Sequence, residues 1–269
     1  MSALLTDKAP LLVATGVGKR FGGLQALNDI SLSIAPGEIR GLIGPNGAGK
    51  TTFFNVLTGL YRPSAGSILF DGAPLAAGAP HEAAQRGIAR TFQNIRLFAN
   101  MSAVENVMVG RHVRTRAGVL GAVLRDRATR AEEADIHARA HALLERVGLS
   151  ERANDIAKTL SYGDQRRLEI ARALATEPKL LALDEPAAGM NASETQALRK
   201  LLEDIRASGV TLLLIEHDMR LVMGICDRVL VLDHGERIAE GSPAEVQRDE
   251  RVIDAYLGIP ADSAAAGAT

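Results

Sequence analysis

The sequence is poor in aromatic residues, in cysteine and in long apolar segments. It has no tryptophan, and aromatic residues make up only 3% of its 269 positions. The single cysteine, Cys226, excludes an internal disulfide and is typical of a reducing compartment. No apolar run approaches the roughly 20 residues of a transmembrane helix, and the first residues lack the basic and long apolar segments of a secretion signal. These absences predict a soluble, intracellular protein.

An excess of charge of either sign is also missing. Lysine and arginine total 31 against 32 aspartates and glutamates, so the net charge is −1. A near-neutral chain has no global electrostatic attraction to nucleic acid, which is therefore not an expected partner. Apolar residues, at 46% of the sequence, suffice for a large core.

Two patterns of secondary structure follow each other along the chain. Early apolar segments with little helix between them indicate an antiparallel layer, with strands at residues 11–17, 26–34, 38–43 and 67–70. Segments rich in Ala, Arg, Glu and Leu predict helices at residues 102–147 and 164–175. After residue 180, strands at 180–183, 210–215 and 228–232 alternate with helices at 194–207 and 219–223. That alternation indicates a parallel sheet, so a helical block interrupts an α/β core.

The strongest motif is GPNGAGKTT, from Gly44 to Thr52, which fits the phosphate-binding pattern G-x-x-x-x-G-K-[ST]. An apolar strand precedes it and a helix from about residue 50 to 58 follows it, as the pattern requires. Its glycines let backbone N–H groups surround phosphate oxygens with no Cβ in the way. Lys50 is predicted to reach the β- and γ-phosphates, and the Thr51 hydroxyl to ligate Mg²⁺.

The segment LLALDE, which ends in Asp184 and Glu185, supplies matching carboxylates. A buried apolar strand presents them at its C-terminal end, where ligands of α/β proteins bind. Asp184 is a predicted Mg²⁺ ligand, and Glu185 is a candidate general base for an attacking water.

A second possible anion site follows Leu160, in the segment LSYGDQRRLEIARALA. Ser161, Gly163 and Asp164 resemble the start of an amphipathic helix, and an exposed helix N-terminus attracts anions. Its presence raises the question of why one chain would carry two phosphate sites.

These motifs, together with GKRFGG and IEHD, occur in the order seen in ABC ATPases, which the chain resembles over roughly residues 11–257. The resemblance implies a P-loop (RecA-like) ATPase core with an antiparallel β subdomain and an inserted α-helical subdomain. It places the nucleotide-binding domain at residues 11–259 and the helical subdomain at about 94–175. Residues 260–269 are expected to form a flexible tail.

The resemblance also assigns roles. Phe21 matches the aromatic residue that stacks on adenine, Gln93 the glutamine that touches Mg²⁺ and water, and His217 the histidine that contacts the γ-phosphate. The implied catalytic residues are Lys50, Gln93, Glu185 and His217, and the implied Mg²⁺ ligands are Thr51, Gln93 and Asp184. The implied ATP contacts are Phe21, Gly44, Pro45, Asn46, Gly47, Ala48, Gly49, Lys50, Thr51, Thr52, Ser161, Gly163 and Gln165.

The resemblance answers the question of the second phosphate site. Residues 160–165 correspond to the signature motif, which closes on the γ-phosphate of ATP held by a second ATPase subunit, head to tail. The sequence departs from the usual pattern at Tyr162, Asp164 and Asn191, where most members have Gly, Gln and Asp. We expect Asp164 to point away from the nucleotide or to cap the helix, and Asn191 to keep the hydrogen-bonding shape without the charge.

The segments RTFQNIRLF, DEPAAGMN and the closing AYLG resemble the G-type ATP-binding subunits of branched-chain amino acid importers. That likeness implies a second, related ATPase chain, two membrane permeases, a periplasmic or extracellular solute-binding protein, and a peripheral place on the cytoplasmic face of the membrane. Three alternatives stay open: a soluble ABC ATPase, a subunit for another solute, and a regulatory module with little turnover.

Three further features have ordinary interpretations. The arginines between residues 111 and 130 are interpreted as a solvated surface, with lipid or permease contact as the alternative. His137 and His141 have the i, i+4 spacing of metal ligands, but no third ligand is evident. Cys226, in an apolar run, is expected in the core.

Overall fold

The computed structural model describes residues 9–75, 78–114 and 127–257. The chain divides into two compact units. The first, called the P-loop unit here, comprises Met1–Ala83 and Ile205–Thr269, and the second, the signature unit, comprises Ala84–Asp204. The expected tail, residues 260–269, lies outside the described residues, and so does the middle of the basic stretch, residues 115–126.

The first strands of the P-loop unit form an antiparallel sheet, as predicted. Its strands are β1 (Leu12–Phe21), β2 (Leu24–Ile34), β4 (Ala65–Phe70) and β5 (Ala73–Pro74), in the order β2-β1-β4-β5. Leu12 pairs with Ile34 on one side and with Phe70 on the other, and all three side chains are buried. The sheet therefore has an apolar face built from the alternating residues of its strands.

Strand β3 (Ile39–Ile43) does not join that layer, although it follows β2 after a short turn. It pairs in parallel with β8 (Thr211–Ile215) and β9 (Arg228–Asp233), and β10 (Glu236–Gly241) pairs antiparallel with β9. Every residue of β3 and β8 is buried. A strand buried on both faces suits a parallel sheet, which explains why the simple order of strands misplaced β3.

The helices lie at positions that the sequence predicted only in part. The expected helices are α1 (Lys50–Leu57), α6 (Ala192–Ala207) and α7 (Met219–Ile225), each within a few residues of its predicted bounds. The sequence did not predict helices α2 (Pro80–Arg86), α8 (Pro243–Val246) and α9 (Glu250–Leu257). It also did not predict strands β5, β6 (Ile88–Arg90) and β10. Most of these missed elements are too short to show a clear hydrophobic period.

The signature unit combines a pair of parallel strands with helices. Strands β6 (Ile88–Arg90) and β7 (Leu180–Asp184) pair with Ile88 opposite Leu180. Its helices are α3 (Ala103–Arg111), α4 (Arg127–Arg146) and α5 (Tyr162–Leu174). Within the predicted helical segment 102–147, residues His112–Arg114 form a 3-10 turn after α3. Helix α3 begins at a capping box formed by Ser102 and Glu105.

Asn106 on α3 is a buried polar residue that fixes the loop before its own helix. Its side chain is fully buried, its Nδ2 donates to the carbonyls of Phe98 (3.1 Å) and Ser102 (2.9 Å), and its Oδ1 accepts from the Phe98 N–H (2.9 Å). The amide oxygen thus supplies the acceptor for the Phe98 N–H, while its N–H groups add to the backbone donors that already bond both carbonyls.

We predict that Asn106→Ala lowers the free energy of unfolding by about 1–3 kcal/mol, because it removes the acceptor of the Phe98 N–H and one donor each from the Phe98 and Ser102 carbonyls. Denaturant titration of both proteins measures the difference. Asn100→Ala is the matched control, since Asn100 is exposed and accepts only from Lys158 on the surface. Equal losses in the two variants would contradict the role given to Asn106.

Cys226 lies in the core, as expected, and burial raises the pKa of its thiol to about 12. A Cβ placed on Gly41 of β3 would lie 3.1 Å from the Cys226 Sγ, so the sulfur packs against the strand backbone.

We predict that the native protein does not react with Ellman's reagent near pH 8, where only about one Cys226 thiol in 10⁴ is ionised. In denaturing guanidinium chloride the same protein should react with one equivalent. Fast reaction of the native protein would contradict this burial.

Candidate nucleotide-binding site

The loop after β3 has a backbone path that only glycine allows at two positions. Gly44 has φ 147°, and a Cβ built on it would lie 2.0 Å from the Leu232 carbonyl oxygen. Gly49, with φ 96°, would place a Cβ 2.9 Å from the Ala26 carbonyl oxygen. The loop is further held by Ala48, whose carbonyl accepts from the Gly235 N–H at 3.1 Å. These contacts shape the predicted phosphate loop before any ligand binds.

Lys50 lies in this loop with its ammonium turned onto the backbone. Its Nζ donates to the carbonyls of Gly44 (2.6 Å) and Pro45 (2.9 Å). Helix α1 starts at Gly49, and within the described chain no side chain caps that end. Thr51 is exposed and Thr52 half-buried at the first turn, so both hydroxyls are accessible. Open N–H groups, a cation and two hydroxyls suit a polyphosphate.

The other two P-loop-unit residues assigned from the sequence are Phe21 and His217. Phe21 ends β1 with 43% of its surface exposed, its ring edge-to-face with Tyr61 at 5.6 Å. His217 follows the C-terminal end of β8, the parallel neighbour of β3, so it leaves the same sheet edge as the phosphate loop. Its side chain is exposed, and its backbone N–H donates to the buried Glu216 carboxylate at 3.1 Å.

In the signature unit the structure brings Gln93 and Glu185 together. Each follows the C-terminal end of one of the two parallel strands β6 and β7. Gln93 Nε2 donates to Glu185 Oε2 at 3.0 Å. Glu185 adopts φ 47°, a left-handed conformation that non-glycine residues rarely occupy, and such strain is common at functional sites. The Asp184 side chain is buried beside it in sequence, and its backbone N–H donates to the Thr91 hydroxyl at 3.3 Å.

The signature segment begins α5 with a cap other than Asp164, so of the two expectations for Asp164 the one of helix capping is wrong. The cap is Ser161, whose hydroxyl accepts from the Asp164 N–H at 3.2 Å. The Asp164 carboxylate instead forms an ion pair with Arg167 and lies 3.9 Å from Arg152 Nε. Gln165 Nε2 donates to the Leu160 carbonyl at 2.9 Å. The two arginines therefore balance the unusual acid in this motif.

The other two departures also have local explanations. Asn191 caps α6, because its Oδ1 accepts from the Glu194 N–H at 3.0 Å while the Glu194 carboxylate accepts from the Asn191 N–H at 2.9 Å. Tyr162 packs on Gly189, where a built Cβ would lie 3.2 Å from the Tyr162 ring. Both contacts lie in the signature unit, and the contact of Tyr162 with Gly189 connects its signature segment to the loop after β7.

The histidine pair and the basic stretch, which the sequence offered as possible sites, make contacts within the signature unit. The His137 and His141 rings lie 4.5 Å apart, but no group of three potential metal ligands exists among the residues that the structure describes. From the basic stretch, Arg111 pairs with Glu177 at 2.7 Å and Arg114 Nε donates to the Thr176 carbonyl at 2.8 Å. These two arginines are thus engaged within their own unit.

Sequence reasoning missed Tyr256, which contacts the phosphate loop. It lies on α9, and its hydroxyl accepts from the Gly44 N–H at 2.9 Å. Burial raises the pKa of the Tyr256 hydroxyl, and the hydrogen bond from Gly44 opposes that rise. The closing AYLG segment was noted only as a family likeness, and nothing in its pattern indicates this contact.

Comparison with known proteins decides the family. A model described as ABC transporter matches residues 27–188, and one described as Branched-chain amino acid ATP-binding cassette transporter matches residues 236–262. The chain belongs to the ABC transporter family. The predicted ABC ATPase assignment is thereby confirmed, and the chain is an ATP-binding cassette ATPase.

Two curated relatives of this ABC protein share the description of a branched-chain amino acid transport ATP-binding protein. It is 48% identical to the high-affinity branched-chain amino acid transport ATP-binding protein LivG of Escherichia coli K12, over 93% of this chain and 98% of the relative. It is 46% identical, with the same coverage, to the protein of that description named BraF in Pseudomonas aeruginosa. The predicted likeness to branched-chain amino acid ATP-binding subunits is confirmed.

Solved structures confirm the fold class. A nucleotide-free ATP-binding cassette from an ABC transporter aligns with a TM-score of 0.80 and 31% identity, over 92% of this chain and 99% of that one. The ADP conformation of MJ1267, an ATP-binding cassette of an ABC transporter, aligns with a TM-score of 0.81 and 30% identity, over 93% of this chain and 100% of that one. Among the described helices of this chain, none has the length and hydropathy to cross a bilayer.

We predict that Tyr256→Phe weakens ATP binding by about 3- to 10-fold, since it removes one hydrogen bond that fixes the start of the phosphate loop. Titration with a fluorescent ATP analogue measures the dissociation constant. Ile253→Ala is the control, because Ile253 lies on the same helix and is similarly exposed. Unchanged affinity in Tyr256→Phe would show that the hydroxyl does not support the loop.

Proposed function

We propose that this ABC ATPase energises the uptake of branched-chain amino acids. The observation that carries the proposal is the likeness to LivG and BraF over 93% of the chain, joined by the match at residues 236–262. Membership in an ABC transport family implies membrane permease partners. We further propose two permeases, a second and related ATPase chain, a solute-binding protein, and a place at the cytoplasmic membrane face.

We infer a division of labour among the P-loop-unit residues. Phe21 offers an exposed ring to the adenine, while residues 44–52 offer backbone N–H groups to the phosphates. Lys50 exchanges its two carbonyl partners for phosphate oxygens when ATP enters. His217, exposed at the end of β8, donates to the γ-phosphate.

We infer that Glu185 is the general base. Its carboxylate takes a proton from the attacking water, and Gln93, bonded to it at 3.0 Å, orients that water through its amide. A general base of this kind contributes about 10²- to 10⁴-fold to the rate.

The predicted Mg²⁺ ligands fit a hard cation. Thr51, Gln93 and Asp184 offer a hydroxyl, an amide and a carboxylate, and oxygen ligands of these kinds suit Mg²⁺. When bound, the ion neutralises charge on the phosphate oxygens.

The signature segment serves a second chain in this proposal. Ser161 and Gly163 lie at the N-terminus of α5, where N–H groups favour an anion. ATP held by the partner ATPase supplies that anion, and a ligand that binds only the closed pair stabilises it by mass action. Loss of the γ-phosphate removes this bond, so the two ATPases separate and the permeases move.

We predict that Glu185→Gln lowers the maximal ATPase rate by about 100-fold or more while ATP still binds, because only the proton acceptor is lost. Steady-state phosphate release and nucleotide titration measure the two quantities.

Glu177→Gln is the matched control for this change. Glu177 is also a glutamate with a left-handed backbone, at φ 50°, but it is exposed and pairs with Arg111 and Arg139. A wild-type maximal ATPase rate in Glu185→Gln would show that Glu185 is not the general base.

The transported solute is tested in cells of the source organism that lack this chain. Complementation with wild type or Glu177→Gln should restore uptake of radiolabelled leucine, isoleucine and valine, and Glu185→Gln should not. A native-membrane pull-down with mass identification then names the permeases and the second ATPase. Normal branched-chain uptake without the chain would assign it another solute, and recovery without any membrane protein would favour a soluble ATPase.

A further inference from the structure

The signature helix α5 buries an ion pair that has no part in the roles given above. Arg166 and Glu169, one turn apart, are 0% and 1% exposed, and Arg166 Nη1 lies 3.1 Å from Glu169 Oε2. A buried ion pair adds little to stability by itself, since the cost of removing both charges from water offsets their attraction. The role of this ion pair therefore has to be sought in the other groups that Arg166 and Glu169 contact.

Those contacts lie on the loop that carries Gln93. Arg166 donates from Nη1 to the Phe92 carbonyl at 2.6 Å and from Nη2 to the Gln93 carbonyl at 2.7 Å. Glu169 Oε1 accepts from the N–H groups of Phe92 and Arg96, each at 3.4 Å. The pair therefore holds backbone groups on both sides of Gln93, with donors for the carbonyls and an acceptor for the N–H groups.

The same guanidinium reaches the signature motif. Arg166 Nη2 also donates to the Tyr162 hydroxyl at 3.1 Å, and the Tyr162 ring packs on Gly189 in the loop after β7. One buried cation thus contacts the loop of Gln93 and the residue that replaces the usual glycine of the signature motif. The planar fork of the arginine guanidinium can donate to all of these acceptors at once, and the ammonium of a lysine has no such geometry.

We propose that Arg166 and Glu169 are positioning residues for hydrolysis, which hold the backbone around Gln93 so that its carboxamide meets Glu185. The proposal rests on the role given to Gln93 and Glu185 under Proposed function. Neither Arg166 nor Glu169 is a catalytic residue here, because the pair acts through the Gln93 backbone. The 3.0 Å bond between Gln93 and Glu185 is the contact that it maintains.

The test is Arg166→Lys, which keeps the positive charge beside Glu169 and loses the fork. We expect kcat for ATP hydrolysis by the full chain, in its native membrane complex, to fall about 10-fold with KM for MgATP within about twofold, because misplacing a positioned group slows the chemical step more than it weakens binding. A matching rise in KM with unchanged kcat, or no change in either, overturns the proposal.

A double-mutant cycle with Gln93→Ala shows whether the effect passes through Gln93. In the Gln93→Ala background, Arg166→Lys should lower kcat by less than about twofold, since the side chain that it positions is already gone. A full 10-fold loss in both backgrounds overturns the proposal. If Gln93→Ala alone leaves kcat unchanged, the proposed role of Gln93 is wrong and this inference falls with it, whereas a slow Gln93→Ala with a normal Arg166→Lys refutes only the inference.

Arg114→Lys is the matched control. Arg114 also spreads its guanidinium over backbone carbonyls of the signature unit, those of Thr176, Gln85 and Glu177, away from Gln93. The same chemical change there should leave kcat and KM unchanged. A loss of kcat equal to that of Arg166→Lys would mean that any carbonyl-binding arginine of this unit has the same effect, which contradicts a specific role.

A spectroscopic readout separates positioning from turnover. The chain has no tryptophan, so Phe92→Trp gives a single tryptophan, excited selectively near 295 nm, beside Gln93 and between the guanidinium groups of Arg90 (4.6 Å) and Arg96 (4.4 Å). In that background Arg166→Lys should increase acrylamide quenching, and Arg114→Lys should not. Identical quenching in all three proteins overturns the proposal.

If Arg166→Lys does not fold, Tyr162→Phe replaces it in the same assays. This change removes one acceptor of the fork from an exposed ring. We expect a two- to threefold lower kcat at unchanged KM, scaled to one hydrogen bond of several. An unchanged kcat in this variant counts against the proposal.

Discussion

The parallel pairing of strands is the constraint on which the chemistry depends. Parallel neighbours end at the same sheet edge, so residues far apart in sequence leave it together. The pairing of β6 with β7 brings Gln93 to Glu185, although 92 positions separate them. The pairing of β3 with β8 places the phosphate loop and His217 at one edge of the P-loop unit. Because all residues of β3, β7 and β8 are buried, the apolar runs that fix these strands also fix where the polar residues emerge.

The sequence was informative where a residue type has few alternatives. Glycines in a fixed spacing predicted the phosphate loop at Gly44. The position of Asp184 and Glu185 directly after an apolar strand indicated that these two carboxylates belong to the site. Contacts made by backbone groups carried no such signal. The hydroxyl of Tyr256 on the Gly44 N–H, and the Arg166 fork on two carbonyls, depend on tertiary packing that no local pattern encodes. Strand β3 was misplaced for the same reason, since pairing partners are chosen by the whole sheet.

The three departures from the usual motifs share one explanation, which is local compensation. Asp164 brings an unusual negative charge to the signature helix, and Arg167 and Arg152 lie against it. Asn191 lacks the usual charge and still caps α6, because the cap needs an oxygen acceptor and no charge. Tyr162 replaces a glycine, and its added ring lies on Gly189, a position with no side chain to displace. Each of the three side chains therefore has partners in its own neighbourhood.

Lys50 shows how the phosphate loop holds its own cation. The ammonium donates to the Gly44 and Pro45 carbonyls, and these two backbone oxygens are the partners that phosphate oxygens replace in the proposed nucleotide complex. A polyphosphate that enters therefore has to replace two short hydrogen bonds from a charged donor. Several negative oxygens on one ligand do so better than a single one, because each adds its own attraction to the ammonium. We therefore expect the loop to discriminate by charge, and to favour ligands with several negative groups over small monovalent anions.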